Sequence, residues 1–69
     1  MKLSRKSDYA LRALLTLAQH YGQGPISIRE LARRNVVPKR FLEHIMLELR
    51  GNGWVRSVRG RDGGYVLAS

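Results

Sequence analysis

Cysteine is absent from the sequence, and acidic side chains are few. Without cysteine, neither a disulfide nor a thiolate metal site can stabilise the fold, and the redox compartment stays undecided. Five Asp and Glu residues stand against 13 Lys and Arg, which gives a formal net charge of +8. This excess of positive charge favours an anionic partner, with nucleic acid ahead of acidic membranes and acidic proteins.

Long hydrophobic runs are missing too. The longest apolar-rich stretch, residues 9–18, is interrupted by Arg12 and Thr16. We therefore predict no membrane span and no signal peptide, and we expect a cytoplasmic protein. The 69 residues allow one small domain, which we place at residues 1–69.

No catalytic arrangement can be recognised. The two histidines and five carboxylates are scattered along the chain, and a domain of this size offers no obvious deep pocket. We therefore expect no enzymatic activity. A metal site is not expected either, because His20 and His44 fall in different predicted helices and no cysteine is available.

Helical spacing of apolar residues predicts a first helix from Ser4 or Ser7 to Tyr21. Either serine suits the N-cap, and Asp8 suits the positive end of the helix dipole. The predicted inner positions are Ala10, Leu14, Leu17 and Tyr21, with Leu11, Leu15 and Ala18 beside them, whereas Arg12, Thr16 and Gln19 face outward.

The stretch SIRE, from Ser27 to Glu30, has the form of a capping box, in which each side chain accepts the other residue's backbone N–H. A second helix is therefore predicted to start near Ile28 and to run for about two turns. Asn35 tolerates the left-handed conformation that ends a helix. Pro38 suits the first position of the helix that follows.

A third helix is predicted from Pro38 to about Asn52, followed by a change to an extended pattern. The inner stripe of this helix is Leu42, Ile45, Met46 and Leu49, and its outer face carries Arg40, Glu43, His44 and Leu47, flanked by Lys39 and Arg50. The runs WVRSV and YVLA on either side of RGRDGG predict a β-hairpin, with residues 25–27 as a candidate third strand.

The order of these elements predicts the fold class. A short helix, a tight turn and a longer helix form a helix-turn-helix. Together with the first helix and the hairpin, they give a mainly α fold with a small β-hairpin, the winged helix-turn-helix of three helices plus a wing. The alternative is a small three-helix fold used for protein binding.

The outer face of helix 38–52 is the candidate reading surface, because a helix-turn-helix places its second helix in the major groove of DNA. Arg40 suits a guanine edge or a phosphate. Glu43 either accepts a hydrogen bond from a cytosine amino group or pairs with Arg40 or Arg50. His44 is interpreted as a phosphate contact or a polar surface residue.

The stretch SVRGRDGGYVL, residues 57–67, first suggests a phosphate cradle. It lacks the spacing of the known nucleotide-binding glycine motifs, however, and it leads into a strand. Its glycines therefore supply turn geometry at the tip of a wing, residues 59–64. Arg59 and Arg61 at this tip either enter a minor groove, grip phosphate, or belong to a solvated turn that touches nothing.

Three stretches, KLSRKSDYALRALLTLA, ISIRELARR and VPKRFLEHIMLELRGNGWVRSVRGRDGGYVLA, together resemble the DNA-binding domain of the Rrf family of winged-helix transcription regulators. The resemblance runs from Lys2 to Ala68. It implies bacterial transcription regulation, with repression expected, by homodimers on palindromic double-stranded DNA. At matching positions it assigns base reading to Glu43 and minor-groove entry to Arg59. The full set of expected DNA contacts is Ser4, Lys6, Tyr9, Lys39, Arg40, Glu43, His44, Arg59, Gly60 and Arg61.

Members of that family usually continue past the wing into a long dimerisation helix and, in many, a loop whose three cysteines hold an iron–sulfur cluster. The resemblance therefore implies a homodimer formed through a segment absent from this sequence. No cofactor is expected within the 69 residues, and an iron–sulfur cluster would require a parent protein that continues past Ser69.

Two other classes of partner compete with DNA. A winged-helix interaction module would bind an acidic protein, with Leu47 and Trp54 as apolar anchors. A buried Trp54 would weaken this alternative, whereas an exposed apolar patch around it would favour it. Binding to structured RNA is less well supported, because the sequence lacks the exposed stacking aromatics usual in sequence-specific single-strand binders.

Overall fold

The computed structural model describes residues 4–68 of the chain, so the two ends of the predicted domain 1–69 lie outside the described residues. The elements in chain order are α1 (Arg5–Gln19), α2 (Ile28–Asn35), α3 (Lys39–Gly51), β1 (Val55–Val58) and β2 (Gly64–Leu67). This order confirms the predicted three helices plus a wing. Among the described helices, none has the length and apolar character needed to cross a membrane.

Helix α1 begins where a serine was predicted to cap it. Ser4 is the N-cap, and its hydroxyl accepts the backbone N–H of Ser7 at 3.0 Å, while Asp8 lies in the first turn. The predicted inner face was partly wrong. Ala13 and Leu17 form the buried centre, whereas Leu11 and Leu15 are about half exposed. The apolar stripe is broader than one helix face can bury, so its outer members stay in solvent.

The C-terminal end of α1 also differs from the prediction. Tyr21 is 63% exposed rather than buried. The helix ends at Gln19, so Tyr21 lies in the turn that follows and not on the helical stripe. Thr16 was predicted to face outward, but it is half-buried, and its hydroxyl donates to the backbone O of Arg12 at 2.9 Å and contacts Oδ1 of Asn35 at 3.3 Å. The latter contact ties α1 to α2.

Helix α2 confirms half of the predicted capping box. The Ser27 hydroxyl accepts the backbone N–H of Glu30 at 3.1 Å. The Glu30 carboxylate does not reach back to Ser27; it accepts hydrogen bonds from Arg33 and Arg34 instead. Two guanidinium groups one turn away offer this carboxylate charge-assisted hydrogen bonds, which are stronger than a bond to one neutral N–H.

The turn of the helix-turn-helix uses a different left-handed residue from the one predicted. Asn35 is the last residue of α2, and its side-chain amide donates to the backbone O of Leu31 at 3.0 Å. Val36 adopts the left-handed conformation, with φ of 53°, and is exposed. Pro38 is not the predicted first residue of α3; it occupies the N-cap position just before Lys39 and makes no side-chain capping hydrogen bond. A β-branched residue such as Val36 is rare at positive φ. The next residue, Val37, is buried in the core.

The core lies where the three helices and β1 meet. On α3, the predicted stripe is confirmed, with Leu42, Ile45 and Met46 buried and Leu49 packed partly buried against them. The complete buried set is Ala13, Leu17, Ile26, Leu31, Ala32, Val37, Leu42, Ile45, Met46 and Val55. Because every element except β2 contributes a residue to this set, α3 is held rigidly against the other two helices.

The wing is an antiparallel hairpin in which Val55 pairs with Leu67 and Val58 with Gly64. Residues 25–27 do not form the candidate third strand, because Ser27 already caps α2. Ile26 makes only an isolated bridge, in which the backbone N–H groups of Ile26 and Tyr65 each donate to the other residue's O, at 3.0 and 2.8 Å. A Cβ atom at Gly64 would lie 2.1 Å from the Ile26 backbone O. Glycine is therefore required where the wing meets the segment before α2.

Candidate nucleic-acid interface

The outer face of α3 is exposed and polar apart from one leucine. Arg40, Glu43, His44 and Leu47 all project from this face, as their helical spacing predicts, and each is exposed. Together with Tyr65 of β2 they line a shallow cleft between α3 and the wing. Leu47 is 54% exposed, so it presents an apolar surface within a basic and polar face.

The side chain of Glu43 is exposed, and within residues 4–68 it forms no ion pair with either Arg40 or Arg50. The guanidinium of Arg50 instead reaches Oγ of Ser57 in β1 at 3.4 Å. This contact links the last turn of α3 to the first strand of the wing. Of the two roles considered for Glu43, pairing with a neighbouring arginine therefore finds no support, which leaves its carboxylate available to a ligand.

The tip of the wing carries two exposed arginines beside the start of α2. Arg59 and Arg61 flank Gly60, whose φ of 117° requires glycine, and the Gly60 carbonyl accepts the backbone N–H of Gly63 at 3.1 Å. Both arginines line a concave surface that also includes Ser27 and Ile28 at the start of α2. The predicted position of Arg59 and Arg61 at the tip of a hairpin is confirmed, while their contact with DNA stays a prediction.

At the start of α1, the predicted DNA contacts Lys6 and Tyr9 both interact with residues of α3. Lys6 is exposed, but its ammonium group lies 2.7 Å from the carboxylate of Glu48 on α3. Tyr9 is half-buried, and its ring meets that of Phe41 edge-on with centroids 5.5 Å apart. Tyr9 thus packs α1 against α3. Sequence reasoning missed the Lys6 to Glu48 pair because 42 positions separate the two residues.

Elsewhere on α2 the positive charge is partly neutralised. Hydrogen bonds from Arg33, the larger cause, and from Arg34 lower the pKa of Glu30 to about 2. The carboxylate therefore stays ionised at pH values where an ordinary glutamate is protonated. On α1, Arg12 pairs with Asp8 at 3.1 Å. The cations that form no ion pair with any residue in the range 4–68 are Arg5, Arg29, Lys39, Arg40, Arg50, Arg56, Arg59 and Arg61. The outer face of α3 and the wing tip thus carry unneutralised charge.

Trp54 precedes β1 and is 61% exposed. It is therefore not buried, and only an exposed apolar patch around it would favour a protein-interaction module. Leu47, the second proposed anchor, lines the cleft with Tyr65, and Trp54 is not among the residues of that cleft. Single exposed apolar side chains are normal on soluble domains, so Trp54 does not by itself define a binding patch.

Residues 3–69 match the Rrf2 family, described as "Iron-dependent Transcriptional regulator". The chain belongs to the Rrf2 family. This match covers both the helix-turn-helix and the wing, and it confirms the resemblance predicted from the sequence motifs.

Individual members of the Rrf2 family show the same fold over the whole chain. The HTH-type transcriptional regulator CymR of Bacillus subtilis (strain 168) is 42% identical over 69 residues, which are 100% of this chain and 50% of CymR. A solved structure of CymR, the global cysteine regulator of B. subtilis, aligns with a TM-score of 0.95 and 40% identity, covering 100% of this chain and 54% of that one. The structure of T. potens IscR aligns with a TM-score of 0.93 and 43% identity, covering 100% of this chain and 50% of that one. The chain therefore spans about half the length of these relatives.

The description of the Rrf2 family implies iron, which proteins hold through cysteine, histidine or carboxylate side chains. The sequence has no cysteine, and within residues 4–68 no group of three or more His, Asp or Glu side chains is arranged to hold a metal ion. These residues do not fit an iron ion or an iron–sulfur cluster.

Proposed function

We propose that this chain is a DNA-binding domain that inserts α3 into the major groove and places the wing, residues 59–64, over the neighbouring minor groove. The observation that carries this proposal is the shared exposure of two basic surfaces. The outer face of α3 and the wing tip are both exposed, and both hold arginines that form no ion pair within residues 4–68. Membership of the Rrf2 family supports the same conclusion.

On α3, the proposed base-reading residues are Arg40 and Glu43. Arg40 has the planar fork that binds a guanine edge or a phosphate in two places. Glu43 would accept a hydrogen bond from a cytosine amino group, a donor that offsets the repulsion between a carboxylate and DNA. Lys39 at the start of α3 and His44 beside Glu43 are proposed phosphate contacts.

On the wing, Arg59 is the proposed minor-groove residue, because a narrow minor groove concentrates negative potential that attracts arginine. Gly60 allows the backbone turn and a close approach to the sugar-phosphate chain. Arg61 lies next to Asp62, and it lines a second cleft with Glu30 and Arg34 of α2. Its surroundings are thus more acidic than those of Arg59, and we assign it a backbone contact.

The start of α1 is proposed to meet the phosphate backbone. Ser4, the N-cap, and Lys6 lie at the positive end of the helix dipole, which favours anions. Tyr9 is half-buried against Phe41, so we assign it a role in holding α1 at this position together with a contact through its exposed part.

The activity of the whole protein is also a proposal. We infer that it regulates bacterial transcription, with repression expected, as a homodimer on a palindromic site of double-stranded DNA. The support is that its relatives CymR and IscR are transcriptional regulators that extend to about twice the length of this chain. Dimerisation would use residues outside these 69.

The proposed function predicts that the chain enriches one short motif from a random pool of DNA duplexes. The Glu43→Ala variant should enrich the same motif except at one position, where all bases are accepted, because the variant cannot accept a hydrogen bond from a base there. At that position we expect discrimination to fall by about 1–3 kcal/mol, the usual contribution of one good base contact. Sequencing of the bound pools measures both results.

Glu30→Ala is the matched control for Glu43→Ala. It removes the same side chain from α2, where the carboxylate binds Arg33 and Arg34. The control should enrich the same motif as the unaltered chain. A pool without any enriched motif would contradict the proposed function, and an unchanged motif with Glu43→Ala would contradict base reading by Glu43.

Arg59→Ala should weaken binding to the selected duplex by about tenfold or more, equivalent to at least about 1.4 kcal/mol, because the minor-groove contact is lost. The control is Arg56→Ala in the same hairpin. Arg56 alternates with Ser57 along β1 and lines a cleft at the end of α1 instead of the cleft beside α3. Fluorescence anisotropy at fixed salt measures both affinities. Equal losses in the two variants would mean that only total charge matters at the wing.

A further inference from the structure

An ion pair joins the start of α1 to the C-terminal half of α3. The Lys6 ammonium donates to Oε1 of Glu48 at 2.7 Å and lies 2.7 Å from Oε2, so it contacts both carboxylate oxygens. The side chains of Lys6 and Glu48 are 53% and 56% exposed. The pair therefore lies on the surface, with both partners open to solvent and to any ligand that approaches.

This pair lies at the border of the proposed DNA face. Glu48 is four residues after His44, one turn farther along α3, and His44 belongs to the exposed outer face. Glu48 is also seven residues after Phe41, which contacts Tyr9 of α1, so Glu48 lies on the side of α3 that faces α1. Lys6 reaches it from the first turns of α1, the part proposed to meet a phosphate.

A carboxylate in this position has two effects on a polyanion. Glu48 competes with phosphate for the Lys6 ammonium, so Lys6 is largely withheld from the DNA backbone while the pair persists. The ionised carboxylate also lies close to any phosphate that approaches Lys6, and it repels that phosphate. Both effects act on the sugar-phosphate backbone, which is the same for every base sequence.

We propose that Glu48 limits the affinity of this domain for the DNA backbone by holding Lys6 and by repelling phosphate. The proposal rests on the proposed function. Glu48 and Glu43 then divide two tasks on one helix. Glu43 acts on the choice of sequence, whereas Glu48 lowers the affinity for all sequences by the same factor. Such a restraint shortens the time that a basic domain spends on unrelated DNA.

The test compares Glu48→Gln with Asp8→Asn by fluorescence anisotropy, on one selected and one unrelated duplex, at several salt concentrations. Both substitutions remove one carboxylate charge and keep the shape of the side chain. Asp8 lies two residues after Lys6, about 200° around α1, and pairs with Arg12. It therefore reports the effect of removing one carboxylate and releasing its paired cation on a different side of α1 from Lys6.

Glu48→Gln should bind both duplexes about three- to tenfold more tightly at low salt, and its plot of log affinity against log salt should be steeper by about 0.9, because Lys6 releases one more counterion. Asp8→Asn should change both affinities by less than about twofold and leave the slope unaltered. In the double variant Lys6→Ala with Glu48→Gln, the slope should return to that of the unaltered chain. Circular dichroism of each variant verifies that the fold is intact.

Two results would overturn the proposal. One is an effect of Glu48→Gln no larger than that of Asp8→Asn, and the other is a gain confined to one of the two duplexes. A failure of the unaltered chain to bind any duplex would instead overturn the proposed function itself. The two failures are therefore distinguishable in a single set of titrations.

Discussion

Gly64→Ala is expected to destabilise the domain by about 3 kcal/mol, the sum of an overpacked contact and the loss of backbone hydrogen bonds. The added Cβ would lie 2.1 Å from the backbone O of Ile26 and 2.4 Å from its backbone C, neither of which can move as a side chain can. The backbone O of Ile26 also accepts the Tyr65 N–H in the bridge between these two residues. In a domain of this size, that loss lowers the melting temperature by about 12–24 °C.

Thermal unfolding followed by far-ultraviolet circular dichroism measures this effect, and Gly22→Ala is its control. Gly22 has a φ of 81°, but a Cβ atom there would have no neighbouring atom within 4 Å, so alanine meets only backbone strain. That strain should cost about 1–2 kcal/mol. Similar melting temperatures for the two variants would show that the contact between the wing and Ile26 contributes nothing beyond backbone conformation.

Raising the salt concentration from about 50 to about 200 mM should lower the affinity for DNA by about 10³-fold. We expect the α3 face, the wing and the start of α1 to contact roughly six phosphates, which predicts a slope of about −5 for log affinity against log salt. This is the largest functional effect expected, because most of the binding free energy would come from counterion release. Anisotropy titrations of a labelled duplex at several salt concentrations measure the slope.

Two cation variants localise this effect. Lys39→Ala at the start of α3 should make the slope shallower by about 0.9, since one proposed phosphate contact is lost. Arg56→Ala, on the other side of the wing, removes the same charge and should leave the slope nearly unchanged. A slope near zero for the unaltered chain would contradict an electrostatic mode of binding.

The elements of this fold could be predicted because their signals are local. The serine that caps α1, the Ser27 cap of α2 and the inner stripe of α3 each depend on residues within one or two turns. The hairpin could be predicted from the change in periodicity and the glycines between its strands. Local spacing also placed Arg40, Glu43, His44 and Leu47 on a common face.

The errors came from features that depend on tertiary contacts. The burial of Ala13 and the exposure of Leu15 follow from where α2 and α3 pack on α1, which the spacing within α1 does not specify. The Glu30 carboxylate had several partners within reach, and the sequence alone did not decide among them. The pairing of Lys6 with Glu48 follows from the crossing of two helices that are distant in sequence.

The bridge between Ile26 and Tyr65 has a consequence for the thermodynamics of recognition. It fastens the wing to the segment that enters α2, while the contact from Arg50 to Ser57 fastens it to α3. The distance between the two DNA-facing elements, α3 and the wing, is therefore fixed when the domain folds. The conformational entropy of aligning them is lost before DNA arrives, so the complex forms without that cost.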